Sequence, residues 1–337
     1  MSAAPVYTAE DRSILLPYYK RFLVEPSLRL IPASVHPNSI THAGHLCNLI
    51  AVGLLVALRP QRGWLLIASM LLLHVYLWAD NADGAHARRT KQSSAFGEFL
   101  DHGLDILNTV YIAVMTAWAL GATHFWTIAL IALIPAAAAV TCWEQTQTGV
   151  YRLGLLNQIE SVAVLSVAMI GSAVWGTDVW KGLSFHNVTA YHFLVVWPAT
   201  TIVFGFGRAI WRVSRAHASI APIFVFLLLH ALILLAGTRG WVSTFVGVSF
   251  VSAVNIGFGV RQLVLRLHNE APKVEPMLVL GVLGMVAFMA WNAAGLPIGA
   301  TYSVALPAVA CAIVALFSLR ETRRGIHVLD EVEADGQ

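Results

Sequence analysis

Charge is scarce in this sequence. Only 12% of its 337 residues are Asp, Glu, Lys or Arg, against about 25% in a typical soluble domain. Apolar residues make up 58%. That balance excludes a disordered chain, a nucleic-acid-binding module and an ordinary soluble enzyme. The formal net charge of +3 is too small to call for a polyanionic partner, so no nucleic acid is expected. Cysteine is scarcer still. Cys47, Cys142 and Cys311 lie far apart in apolar stretches without CxxC spacing, which argues against a disulfide framework or a zinc site. The first thirty residues lack the short apolar run of a cleavable signal peptide. The membrane segments themselves are expected to direct insertion.

What the chain has is apolar length. Ten spans can be read, at 44–58, 64–80, 100–121, 124–143, 155–175, 191–210, 219–236, 241–263, 277–295 and 301–319. Most are long enough to cross a hydrocarbon core of ~30 Å as helices. The expected fold is therefore all-α, a polytopic integral membrane protein of about ten transmembrane helices. Before them, residues 8–35 mix apolar residues with Arg12, Lys20, Arg21, Glu25 and Arg29, as an interfacial amphipathic helix does. After them, residues 321–337 form a polar tail with Asp330, Glu331, Glu333 and Asp335. With the N-terminus inside, 17 of the 21 Lys and Arg fall on the cytoplasmic side; Arg59, Arg62, Lys181 and Arg239 fall outside. Both termini are thus expected in the cytoplasm. No internal repeat or linker divides the chain, which reads as a single membrane domain over 1–337.

Four carboxylates stand out between spans two and three. Residues 77–105 read LWADNADGAHARRTKQSSAFGEFLDHGLD. Acids near a bilayer are costly and point to function. Asp80 and Asp83 are three residues apart, and Asp101 and Asp105 four apart, so each pair shares a helix face. Antiparallel packing of the two helices would bring all four together. Hard cations held by oxygen ligands would offset the repulsion, with Mg2+, Mn2+ or Ca2+ the suitable ions. Gly84, Ala87 and Gly97 leave room for a ligand, and Arg88 offers a phosphate a planar fork of donors. Together these suggest a nucleotide-diphosphate site. The alternative is a set of helix-end acids paired with Arg88, Arg89 and Lys91.

The spacing Asp80-x2-Asp83-Gly84-x2-Ala87-Arg88-x8-Gly97-x3-Asp101-x3-Asp105 resembles the signature of the CDP-alcohol phosphotransferase family. The longer strings DNADGAHARRT and GEFLDHGLD are similar to its choline/ethanolamine phosphotransferase branch. So are Asp11-Arg12-Ser13, Pro37-Asn38-x2-Thr41, and Trp143-Glu144 with Thr148-Gly149. Ala85-His86 stand where that branch usually has Lys-Gln. The resemblance covers roughly 8–160.

It implies an integral membrane enzyme. A lipid hydroxyl attacks the β-phosphorus of a CDP-alcohol, and CMP leaves. The head group would be phosphocholine or phosphoethanolamine, and the acceptor diacylglycerol or a similar lipid. Two Mg2+ ions, or Mn2+, would be held by Asp80, Asp83, Asp101 and Asp105, with Asp105 alternatively a base. Asn38, Gly84, Ala87, Arg88 and Gly97 would line the CDP-alcohol site. Residues 36–210 would hold the catalytic helices, and 211–320 a lipid-acceptor site or the interface of a homodimer. Further base candidates are Glu160 and His230 in apolar stretches, and His268 at a helix end. His102 and Glu98 could support the metal site, or Glu98 could face solvent. Tyr76, Trp78 and Trp143 are candidates to face a quaternary ammonium, or to anchor at the interface. Two other readings remain. One is a CDP-diacylglycerol-dependent phosphatidyltransferase acting on a polar alcohol such as inositol or glycerol phosphate. The other is a cation-coupled transporter, which would rather place its acids near the midplane.

Overall fold

The computed structural model describes residues 8–58, 63–154, 157–295, 320 and 323. The expected span 301–319 lies outside the described residues, and so does the tail 321–337 except for Arg323. Each of the other nine expected spans is a helix. They are α3 (Pro37–Leu58), α4 (Gly63–Thr90), α5 (Ala95–Ala119), α6 (His124–Thr148), α7 (Gln158–Trp175), α9 (Ala190–Arg215), α10 (Ala221–Thr238), α11 (Thr244–Leu267) and α12 (Pro276–Ala293). Eight of them are long and apolar enough to cross a membrane; α5 is the exception, because it carries Glu98, Asp101, Asp105 and Asn108. The protein is an all-α polytopic integral membrane protein.

Several helices overrun the apolar spans that mark them. The second runs on from residue 80 to Thr90, and α3 begins at Pro37 rather than at 44. In the α4 extension Ala82, Ala85, Ala87, Arg88 and Arg89 are good helix formers, and helix hydrogen bonding does not require an apolar side chain. The extension of α4 carries Asp83 and Arg88.

The chain divides into two compact units. The first holds Ala9–Gly121 and Arg152–Trp197; the second holds Ala122–Tyr151 and the described residues from Pro198 onward. In the first, the segment before α3 forms α1 (Leu16–Tyr19), a π-helical turn (Lys20–Val24) and α2 (Glu25–Leu28). Its Val24 and Leu28 pack with Ile40 of α3 and with Ala79 and Ala82 of α4. Ile14, Tyr18, Phe22 and Leu30 stay exposed beside Arg12, Arg21 and Arg29. This is the amphipathic face expected of an interfacial segment.

Small residues and polar pairs hold α3, α4, α5 and α7 together. A Cβ on Gly44 would stand 2.6 Å from the Ala79 Cβ, so glycine is what lets α3 and α4 approach this closely. The Ser69 hydroxyl donates to the Ala51 carbonyl at 2.8 Å. Asn48 Nδ2 donates to Asn108 Oδ1 at 3.0 Å, tying α3 to α5. His74 Nε2 and Ser166 Oγ, 2.9 Å apart, tie α4 to α7. After α7, α8 (Val179–Gly182) leads to a hairpin of β1 (Ser184–Phe185) and β2 (Val188–Thr189). His186 and Asn187 turn it with φ of 46° and 65°, the positive values of a type I′ turn.

In the second unit α11 packs along α6 on a seven-to-eight-residue repeat. Gly247 lies against Ile128, Asn255 Nδ2 donates to the Ala132 carbonyl at 3.2 Å, and Thr146 Oγ1 donates to the Gln262 carbonyl at 3.1 Å. Arg212 grips the buried Glu144 with two donors, Nε to Oε1 and Nη2 to Oε2, the second at 2.7 Å. Arg261 Nε donates to Glu275 Oε1 at 2.7 Å. Such pairs satisfy charges that a membrane bundle could not leave alone.

Candidate active site and metal centre

The site begins with a short connection. Lys91, at φ 60°, ends α4, and the Gln92 N–H donates back to the Ala87 carbonyl at 2.9 Å. Ser94 then caps α5, its hydroxyl accepting from Gly97 N–H at 3.0 Å. Only residues 91–94 separate the helices. Asp80 lies ten residues before the end of α4, and Asp105 ten residues after the start of α5. At ~1.5 Å per residue both sit about 15 Å from the turn. Equal distances from the turn let the two helices bring these carboxylates together.

One oxygen each from Asp80, Asp101 and Asp105 lies within 4.8 Å of the other two. The three side chains are half-buried. Among the described residues none of the three carboxylates is in an ion pair with Lys or Arg. Of the basic residues nearby, Arg89 is engaged elsewhere. Arg89 donates to the carbonyls of Leu28 and Ile31, the latter at 2.7 Å. Arg88 is exposed and lies back along its helix, with Nη1 3.4 Å from where a Cβ on Gly84 would be. Charge pairing within the protein therefore does not account for these acids. An all-oxygen, all-carboxylate donor set fits a hard divalent cation.

Asp83 sits one turn further along α4 and is buried at 4% exposure. It acts electrostatically on Asp101 but is not part of the 4.8 Å triad. Its Oδ2 accepts from Thr41 Oγ1 at 2.6 Å and its Oδ1 from Gly84 N–H at 2.6 Å. It is thus oriented by α3 and by its own helix.

The residues expected around a nucleotide fall close by. A Cβ on Gly97 would stand 3.3 Å from Asn38 Oδ1 and 3.2 Å from Ser94 Oγ, so Asn38 of α3 meets the start of α5 across a glycine. Ala87 is buried on α4, next to Arg88 in sequence.

Tyr76, a candidate to face an ammonium or to anchor at the interface, is buried behind the cluster, where Gln158 joins it. Gln158 Nε2 donates to the Tyr76 hydroxyl at 2.8 Å, and that hydroxyl donates to Asp105 Oδ1 at 3.1 Å. Tyr76 precedes Asp80 by four residues and so shares its face, a signal that was available. Gln158 is distant in sequence and gave none.

The other candidates lie as follows. Trp78 Nε1 donates to Ser27 Oγ at 2.7 Å, which fixes its ring on the N-terminal segment. His102 is buried on α5, and Glu98 is half-buried one turn earlier. Glu160 accepts at Oε1 from Ser13 Oγ (2.7 Å), Ile14 N–H (2.9 Å) and Leu15 N–H (2.9 Å), and at Oε2 from Asn157 N–H (3.2 Å). In the second unit His230 is buried with both ring nitrogens engaged: Nδ1 lies 2.9 Å from the Phe226 carbonyl and Nε2 3.1 Å from Asn255 Oδ1. Trp143 is fully buried there, and His268 ends α11 on an exposed surface.

These features define a class: a membrane protein with a carboxylate cluster built on two helices joined by a short turn. The family model for CDP-alcohol phosphatidyltransferases matches residues 34–258, and the chain belongs to that family. It is 31% identical over 185 residues to cholinephosphotransferase 1 of Danio rerio, covering 52% of this chain and 47% of that protein. It is 32% identical over 186 residues to cholinephosphotransferase 1 of Gallus gallus, covering 52% and 54%. It is 28% identical over 206 residues to a CDP-diacylglycerol--serine O-phosphatidyltransferase of Encephalitozoon cuniculi, covering 58% and 51%. The chain spans about half the length of these curated relatives.

Proposed function

We propose that the protein moves phosphocholine or phosphoethanolamine from a CDP-alcohol to the hydroxyl of diacylglycerol or a similar lipid, releasing CMP. The observation that carries this reading is the unpaired triad of Asp80, Asp101 and Asp105 beside Gly84, Arg88, Gly97 and Asn38. Two bound Mg2+ ions, or Mn2+, would neutralise the pyrophosphate and the charge that develops on it. Asp80, Asp101 and Asp105, with Asp83, would hold them. Arg88 would donate to a phosphate, and Gly84, Ala87 and Gly97 would leave space for the nucleotide. Asn38 would hydrogen-bond it from the first turn of α3.

The lipid oxygen forms a bond to the β-phosphorus while the bond from that phosphorus to CMP breaks. CMP leaves with the bonding pair. Asp105, oriented by Tyr76, is the group proposed to take the hydroxyl proton. The site would face the cytoplasm, the side that collects most Lys and Arg.

A second reading rests on the serine phosphatidyltransferase relative. In it the lipid is the CDP-linked donor, and a small polar alcohol attacks. The test is CMP release by the purified protein in Mg2+. One arm offers diacylglycerol with CDP-choline or CDP-ethanolamine; the other offers CDP-diacylglycerol with serine, inositol or glycerol phosphate. Release in the first arm alone is expected. Release in the second arm alone would replace the first reading by the second.

A further inference from the structure

We infer that Glu160 is a positioning residue, which clasps the N-terminal segment against the helices that carry the carboxylate cluster. The inference rests on the proposed phosphotransfer reading for what the clasp serves. It rests on geometry for its existence.

The N-terminal segment is held at two ends. Its later half is stitched to α4 along the turns bearing Asp80 and Asp83. Trp78 binds Ser27, Arg89 binds the Leu28 and Ile31 carbonyls, and His86 Nε2 lies 2.8 Å from the Val35 carbonyl. Its first residues carry the Glu10–Arg152 ion pair at 3.3 Å, and just after it three bonds converge on one carboxylate oxygen. Oε1 of Glu160 accepts from Ser13 Oγ and from the backbone N–H groups of Ile14 and Leu15, partners 145–147 residues away in sequence. Asn157 adds a bond from Nδ2 to Asp11 Oδ1 at 2.9 Å. The other oxygen of Glu160 closes a capping box at the start of α7.

Between Asn157 and Glu160 stands Gln158, which holds Tyr76 and through it Asp105. One turn of α7 therefore bonds both the segment and the cluster. Releasing the segment would free that turn, and with it the relay that orients Asp105. The same bonds explain Asp11-Arg12-Ser13: Asp11 and Ser13 are the clasp, while Arg12 is exposed. Glu160 needs only its acceptor oxygens for this duty. A base would need its charge and a proton to take.

Trypsin cleavage at the exposed Arg12 and Arg21 of the intact, Mg2+-loaded protein reads the clasp without requiring turnover. Glu160→Ala should raise the cleavage rate about tenfold, since hydrogen bonds to a charged acceptor are lost. It should also raise KM for the CDP-alcohol while kcat falls. Glu160→Gln keeps an acceptor oxygen for Ser13, Ile14 and Leu15. It should restore protection, bring turnover to within about threefold of the parent, and keep the acid limb of the kcat–pH profile. Should Glu160→Ala fail to fold, Ser13→Ala removes one bond from the other side and should give intermediate protection. Protection unchanged in either deletion variant would overturn the inference. So would a Glu160→Gln protein that is protected but as inactive as Glu160→Ala, with its acid limb gone: that result would make Glu160 a base. Absence of CMP release from every donor would defeat the phosphotransfer reading, yet leave the protection result intact.

Discussion

At the scale of the residue, the argument concerns three carboxylates that have no cation of their own. Asp80, Asp101 and Asp105 repel one another in the free protein, so neutralising one should relieve strain rather than create it. Asp101→Asn is therefore expected to raise, or leave unchanged, the thermal midpoint measured in chelator. Mg2+ should raise the midpoint of the parent and have little effect on the variant, because a ligand stabilises only the state that binds it. A variant that melts earlier in chelator and still responds fully to Mg2+ would contradict the metal assignment. Gly97→Ala tests the neighbouring wall. Its Cβ would crowd Asn38 Oδ1 and Ser94 Oγ at 3.3 and 3.2 Å. Asn38 must then give by a few tenths of an ångström. The expected outcome is a higher KM for the CDP-alcohol, by about tenfold, with stability nearly unchanged, measured by initial rates and by melting.

At the scale of the element, the site depends on how closely helices meet. Gly44 allows α3 to approach α4 at Ala79, directly beside Asp80. Gly44→Val would force the two backbones apart, because the atom it meets is itself fixed to the main chain. A loss of about 3 kcal/mol is expected, with turnover falling together with stability; thermal melting and CMP release read the two. In the second unit, Arg212→Ala would leave the buried Glu144 without its guanidinium partner. About 3–5 kcal/mol is expected to be lost, read as a lower midpoint.

Much of this scale was legible in the sequence. The pairs Asp80/Asp83 and Asp101/Asp105 announced shared helix faces, and nine apolar spans announced nine helices. The extension of α4 to Thr90 was not legible, because apolar runs mark where lipid is and not where helix hydrogen bonding stops. Nor were the partners of Glu160. A lone acid in an apolar stretch suggested chemistry, and only the fold shows that its oxygens accept from residues 13–15. Asp83 shares a face with Asp80 in sequence, but Thr41 and Gly84 hold its carboxylate one turn from the triad.

At the scale of the whole molecule, the uneven distribution of Lys and Arg predicts sidedness. The connection 91–94 should face the same side as the N-terminal segment, and the β1–β2 hairpin the opposite side. Cysteines placed singly at Ser93 and Asn187, after replacement of Cys47, Cys142 and Cys311, should be labelled by a membrane-impermeant maleimide from opposite faces of sealed vesicles. Labelling of both from one face would break the alternation of spans. Family membership gives this topology its purpose. On the proposed reading the CDP-alcohol would be water-soluble and the acceptor a lipid, and the reaction would need a polar site at a membrane surface. The cluster, about 15 Å from a polar turn along each of two helices, would meet that need.

The most direct test of the account is CMP release from CDP-choline or CDP-ethanolamine with diacylglycerol, followed against Mg2+ concentration in the parent and in Asp101→Asn. The account predicts saturable, Mg2+-dependent release in the parent, no release in chelator, and a loss of at least about a hundredfold in the variant. Release that persists in chelator, or that survives Asp101→Asn at the parent's rate, would contradict it.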